Sequence, residues 1–133
     1  MSGERNMTPA DLVAAAIERF TAGDDDGFVA CFDPDATVWA EPQLAPGVVL
    51  TGREQIAAWC REARTRWSDV AFSHGELSNQ GPGAYVELDV VTAAGGAGGA
   101  WRLSIAVFVR DGLVLEVLPQ PDRAAAIGAL TER

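Results

Sequence analysis

The feature that most constrains this chain is a change of hydrophobic period at Asp69. Upstream, apolar residues recur every three or four positions, as on one face of a helix; downstream they alternate, as on one face of a strand. Four strand segments follow the change: Val70 to Leu77, Tyr85 to Thr92, Trp101 to Arg110 and Leu113 to Leu118. Asn79-Gln80-Gly81 closes the first hairpin, and Asp111-Gly112 has the two-residue turn chemistry in which both central residues take positive φ. Ala93 to Ala100 holds four glycines and reads as a hairpin tip, not a phosphate loop, because no helix follows it to offer an N-terminus.

The helical half is equally punctuated. Thr8-Pro9, with Asp11 three residues on from the cap, predicts a helix start, Leu12, Val13, Ala16, Ile17 and Phe20 give its apolar face, and Gly23 stops it. Asp24, Asp25 and Asp26 surround a second helix start, whose stripe of Phe28, Cys31 and Phe32 runs until Pro34. Capping and solubility explain this acidic triplet better than a divalent cation does. Thr37 to Glu41 is expected to be a short strand halted by Pro42, and Gln43 to Leu50 a loop. Thr51 and Glu54 match a capping box ahead of Ile56, Trp59, Cys60, Ala63 and Trp67, the buried face of a third helix. Arg123 to Leu130 is expected to add a short closing helix. The order is α+β, with no repeat and no linker, so residues 1–133 are expected to form a single domain after a flexible N-terminus at 1–7.

Charge and composition narrow the function. Nineteen acidic against ten basic residues give a net charge of -9, which repels nucleic acid. No apolar run approaches the ~20 residues of a spanning helix and the N-terminus lacks a signal-peptide pattern, so a cytoplasmic protein without membrane association is expected. One histidine, and two cysteines without metal-ligand spacing, call for no metal and no cofactor.

With AGDDDGFVACFDPDATV, GREQIAAWCREAR and GPGAYVELD set in this order, the chain from about Thr8 to Pro121 resembles the nuclear transport factor 2-like superfamily, most closely ketosteroid isomerase and the SnoaL-like polyketide cyclases. The resemblance implies a cone-shaped, curved antiparallel sheet wrapped around three N-terminal helices, with a pocket inside and often a homodimer. It does not carry over the isomerase's machinery. The positions matching its oxyanion tyrosine and neutral acid hold Ala16 and Ala106, and its supporting tyrosines match Phe32 and Cys60. Its catalytic aspartate matches Ala40, or Glu41 with a one-residue bulge. The Arg-x-Asp of limonene-type epoxide hydrolases matches Glu87-Leu88-Asp89, and their second aspartate falls near Pro119.

Two registers are open for Tyr85, Glu87 and Asp89. Alternation alone sends this polar set to solvent; the resemblance turns it into the pocket, beside Arg102 and Ser104 of the next strand. In the pocket register Glu41 is the candidate base, Asp89 or Glu87 the acid, and Arg102 an anion anchor. Trp39, Trp59, Cys60, Tyr85, Ser104 and Ala106 are then the substrate-binding walls, and a small hydrophobic metabolite the substrate. Trp67 is assigned to the core and Trp101 to either place. A His74–Glu76 dyad is conceivable, but a structural histidine fits better. The expected activity is cofactor-independent acid–base chemistry, whether cyclisation, isomerisation or epoxide opening. The alternative is a non-catalytic small-molecule-binding or dimeric assembly module of the same fold.

Overall fold

The computed structural model describes residues 7–39, 49–66, 71–91 and 100–132. The expected N-terminal flexibility at 1–7 falls on residues outside this set, except Met7. Helix α1 (Pro9–Thr21) begins as its sequence dictates. The Thr8 hydroxyl accepts the Asp11 N–H at 3.1 Å, and the Asp11 carboxylate accepts the Thr8 N–H at 3.3 Å. Gly23, at φ 83°, turns the chain into α2 (Asp25–Ala30), capped by Asp24, which accepts the Gly27 N–H at 2.9 Å.

Two expectations shift here. Strand β1 (Phe32–Trp39) starts directly after Cys31, so Pro34 lies inside a strand and does not end a helix. The pairing of β1 is irregular between Phe32 and Thr37, which accommodates a residue with no N–H for a ladder. The end of the expected loop is a short strand, β2 (Val49–Thr51), antiparallel to β1. Ahead of α3 (Arg53–Arg66), the Thr51 N–H donates to the Gln55 side chain at 2.8 Å. Gln55, not Glu54, therefore closes this helix start.

The meander follows as β3 (Ala71–Gln80), β4 (Gly83–Val91), β5 (Ala100–Arg110) and β6 (Leu113–Gln120). Its last turn has Asp111 at φ 55° and Gly112 at φ 77°, the two positive angles that Asp-Gly favours. The first turn is Gly81-Pro82, one residue later than the sequence suggests. Strand order is β2-β1-β6-β5-β4-β3 in one six-stranded sheet. The fold is α+β as expected, and the curved sheet is mixed because β1 runs parallel to β6.

Each face of the sheet has its own apolar cluster. On the inner face Val86, Val90, Ile105 and Val107 pack against Leu12, Val13, Ala16 and Phe20 of α1, Phe28 of α2, and Ile56 and Cys60 of α3. Phe20 is the hub: its ring lies 4.0 Å from Phe72, 5.3 Å from Phe28 and 5.8 Å from Trp59, centroid to centroid. The Arg64 guanidinium sits 4.2 Å over that ring and donates to the Phe20 carbonyl and, at 2.8 Å, to Asp25. On the outer face, helix α4 (Arg123–Thr131) covers Tyr85, Ala106 and Phe108 with Ala126 and Leu130.

Candidate functional site

Between the inner face of the sheet and the helices lies a cavity of about 210 Å³. Its sheet wall is Val86, Leu88 and Val90 of β4, Trp101, Leu103, Ile105 and Val107 of β5, and Val117 and Pro119 of β6. These are alternate residues of each strand, all of one face, as a two-residue period requires. Val13, Ala16 and Ile17 of α1, with Ile56, Trp59 and Ala63 of α3, form the helical wall. The charged side chains lining it among the described residues are Glu62 and Arg66, one turn apart on α3, their charges 3.6 Å from each other and both more than half exposed. Among the described residues, charge is thus confined to the mouth.

The residues singled out from the sequence divide between the two faces. Trp39, Trp59 and Trp101 line the cavity. The Trp39 indole N–H donates to the Glu116 carboxylate at 3.1 Å and the residue is 43 % exposed, which puts it at the mouth. Glu41, with Ala40 and Trp67, lies outside the described residues.

The pocket register of β4 and β5 needs correction. Glu87 and Asp89 alternate with the cavity residues Val86, Leu88 and Val90, and therefore project from the outer face. Their partners across the strand pair are Ser104 and Arg102, which share that face. Arg102 holds Asp89 in a two-point ion pair, Nε to Oδ1 at 2.8 Å and Nη2 to Oδ2 at 3.1 Å, and its Nη1 reaches Glu87 at 3.5 Å. The hydrogen bonds from Arg102 hold the Asp89 carboxyl below its ordinary range, the reverse of what a general acid needs. Tyr85 and Ala106 are directly paired on the same outer face and lie buried beneath α4. Alternation decided these strands because the other parity supplies the unbroken apolar set that the core requires.

Cys60 is also displaced from its expected role. It is fully buried in the inner cluster and is not a cavity wall. Burial pushes its thiol up to about 12, Asp25 adds to the rise, and Arg64 and Arg61 oppose it.

The His74–Glu76 dyad does not form. A bulge between His74 and Leu77 breaks the two-residue period, and Glu76 instead accepts two hydrogen bonds from Arg123 at 2.7 and 2.8 Å. The His74 ring meets the Gly75 carbonyl at 3.0 Å, as a structural histidine does.

Sequence reading missed Glu62 and Arg66. Their signal was present: with Trp59 and Ala63 they recur at i, i+3, i+4 and i+7, flanking the buried stripe of α3. Among the described residues there is no group of three or more His, Cys, Asp or Glu side chains able to hold a metal, and no helix long and apolar enough to cross a membrane.

Comparison with known proteins agrees with this architecture. A candidate polyketide cyclase from Sinorhizobium meliloti superposes with a TM-score of 0.70 at 24% identity, over 83% of this chain and 94% of that one. A protein with a ketosteroid isomerase-like fold from Catenulispora acidiphila, crystallised with trimethylamine, gives 0.68 at 20% identity over 94% of each chain. A cystatin-fold protein from Novosphingobium aromaticivorans gives 0.72 at 17% identity, over 86% and 98%. At these identities the likeness is one of fold. No curated protein sequence matches the chain. The SnoaL-like domain model matches residues 13–117, most of the sheet and the helices that enclose the cavity, and the chain belongs to the SnoaL-like family.

Proposed function

We propose that the chain binds a small apolar metabolite in the inner cavity and that the outer carboxylates take no part. One observation carries this reading: behind the mouth, the described wall side chains are aliphatic or aromatic. Ala16, Phe32 and Pro119 line the cavity, and by the resemblance Ala16 matches the isomerase's oxyanion tyrosine, Phe32 one of its supporting tyrosines, and the epoxide hydrolases' second aspartate falls near Pro119. Such a wall favours binding through burial of apolar area and supplies no proton donor or acceptor beside a buried ligand. Calorimetric titration with a panel of monocyclic terpenoids and aromatics tests it. Binding to the parent chain that weakens at least tenfold in Leu103→Trp, with the circular dichroism spectrum retained, supports the reading; equal binding by both proteins refutes it.

A second reading is acid–base catalysis on the same ligand, of the cyclase, isomerase or epoxide-opening kind. It is favoured by the place of Trp39 at the mouth, two residues before Glu41, and by the fold shared with the Sinorhizobium candidate cyclase. Turnover that Glu41→Gln abolishes while binding persists supports it. A homodimer belongs to both readings: a second copy on the outer sheet face would cover the exposed Val91 and the Arg102 ion pairs. Light scattering at twice the monomer mass supports that assembly, and the monomer mass excludes it.

A further inference from the structure

We infer that the ligand is a small uncharged molecule with one hydroxyl or carbonyl group, held apolar end first so that this group meets Glu62 and Arg66. The inference rests on the ligand-binding reading above and adds the ligand's size, charge and orientation to it.

Size comes from the cavity. At about 210 Å³ it is smaller than the ~300–1,000 Å³ of pockets that take drug-sized molecules. That size favours a single ring with a short branch over a fused polycyclic skeleton.

Charge is settled by the asymmetry of the walls. A charged group deep in the cavity would meet only hydrocarbon and indole surface, with no described side chain to replace its water. The polar end of the ligand must therefore sit at the mouth. There Glu62 and Arg66 lie 3.6 Å apart and set a carboxylate acceptor beside a guanidinium donor. A carboxylate would compete with Glu62 for Arg66, meet the repulsion of Glu62, and approach against a chain carrying -9. An ammonium group would gain Glu62 only by displacing Arg66. A hydroxyl can donate to Glu62, a carbonyl can accept from Arg66, and neither breaks the pair.

The test is calorimetric titration with five probes that share one skeleton: p-cymene, cuminyl alcohol, cuminaldehyde, cuminate and cuminylamine. The alcohol and aldehyde are expected to bind about three- to tenfold tighter than p-cymene, the net gain of one hydrogen bond at an exposed rim. Cuminate and cuminylamine are expected to bind more weakly than p-cymene. In the Glu62→Ala/Arg66→Ala double variant, whose substituted side chains are more than half exposed, the alcohol and aldehyde should lose their advantage over p-cymene measured on the same variant. A charged probe binding tightest, or p-cymene binding as well as the alcohol to the parent chain, overturns the inference and leaves the cavity as a ligand site. Failure of all five, p-cymene included, overturns both.

Discussion

Asp89 and Arg102 stand directly opposite one another on β4 and β5 and close a two-point ion pair on the face of the sheet turned away from the cavity. This two-point ion pair is therefore an outer-face feature, separated by the sheet from the apolar cavity. Asp89→Asn should leave ligand affinity within twofold of the parent in a calorimetric titration. A tenfold loss would place the site on the wrong face.

The same pairing sets an acid limit on stability. Asp89 and Glu76 have their carboxyls lowered first by hydrogen bonds from Arg102 and Arg123, and Asp33 first by the Asp35 N–H. A carboxyl with a lowered folded-state value contributes stability above its unfolded value, and that contribution is lost as pH falls through the folded value. The urea midpoint should therefore be flat from pH 7 to about 5 and fall below about pH 4. In Asp89→Asn the fall should be shallower. An unchanged slope in the variant would mean that the pair is not formed in solution.

Two glycines give opposite expectations for one substitution. A Cβ on Gly83 would run into the Val107 carbonyl where β4 meets β5, so Gly83→Ala should destabilise by about 1–3 kcal/mol or more. Gly128 lies within α4 with open space at its Cβ position, and Gly128→Ala should stabilise by about 0.5–1 kcal/mol. Chemical denaturation of both variants measures the pair. Equal effects would mean that the β4–β5 contact is looser than described.

Cys60 is buried and its thiol pushed up to about 12, so at pH 8 it should not react with a thiol reagent until the chain unfolds. Reaction of Cys60 at the rate of a free thiol in the native protein would contradict its place in the core.

The elements that were legible in the sequence are those fixed by local chemistry. Thr8 and Asp11 cap each other whatever lies beyond them, and Asp111-Gly112 forces its turn through the backbone alone. Strand β1 was harder, because Pro34 normally punctuates and only the irregular pairing with β6 lets it remain in a strand. The parallel partnership of β1 and β6 joins segments far apart in the chain, and no local pattern encodes it.

The candidate site was read in part for the same reason. Trp59 was placed at the pocket by the resemblance and Trp39 by its nearness to Glu41, and both line the cavity. Tyr85, Glu87, Asp89, Arg102, Ser104 and Ala106 were sent inward by a register taken from the resemblance. Their own alternation with Val86, Leu88, Val90, Leu103 and Ile105 already contained the answer. Glu62 and Arg66 were overlooked because charged residues beside a buried helical stripe look like ordinary solvated positions.

The central claim is that ligand chemistry belongs to the inner cavity. Methyl and amide chemical-shift mapping on the isotope-labelled chain, titrated with a small monocyclic ligand such as cuminyl alcohol, tests this most directly. Perturbations are expected at Val13, Ile17, Leu88, Leu103, Ile105 and Val117, with Asp89, Arg102 and Ser104 unmoved. Perturbations centred on Glu87, Asp89 and Arg102, with the cavity methyls silent, would contradict it.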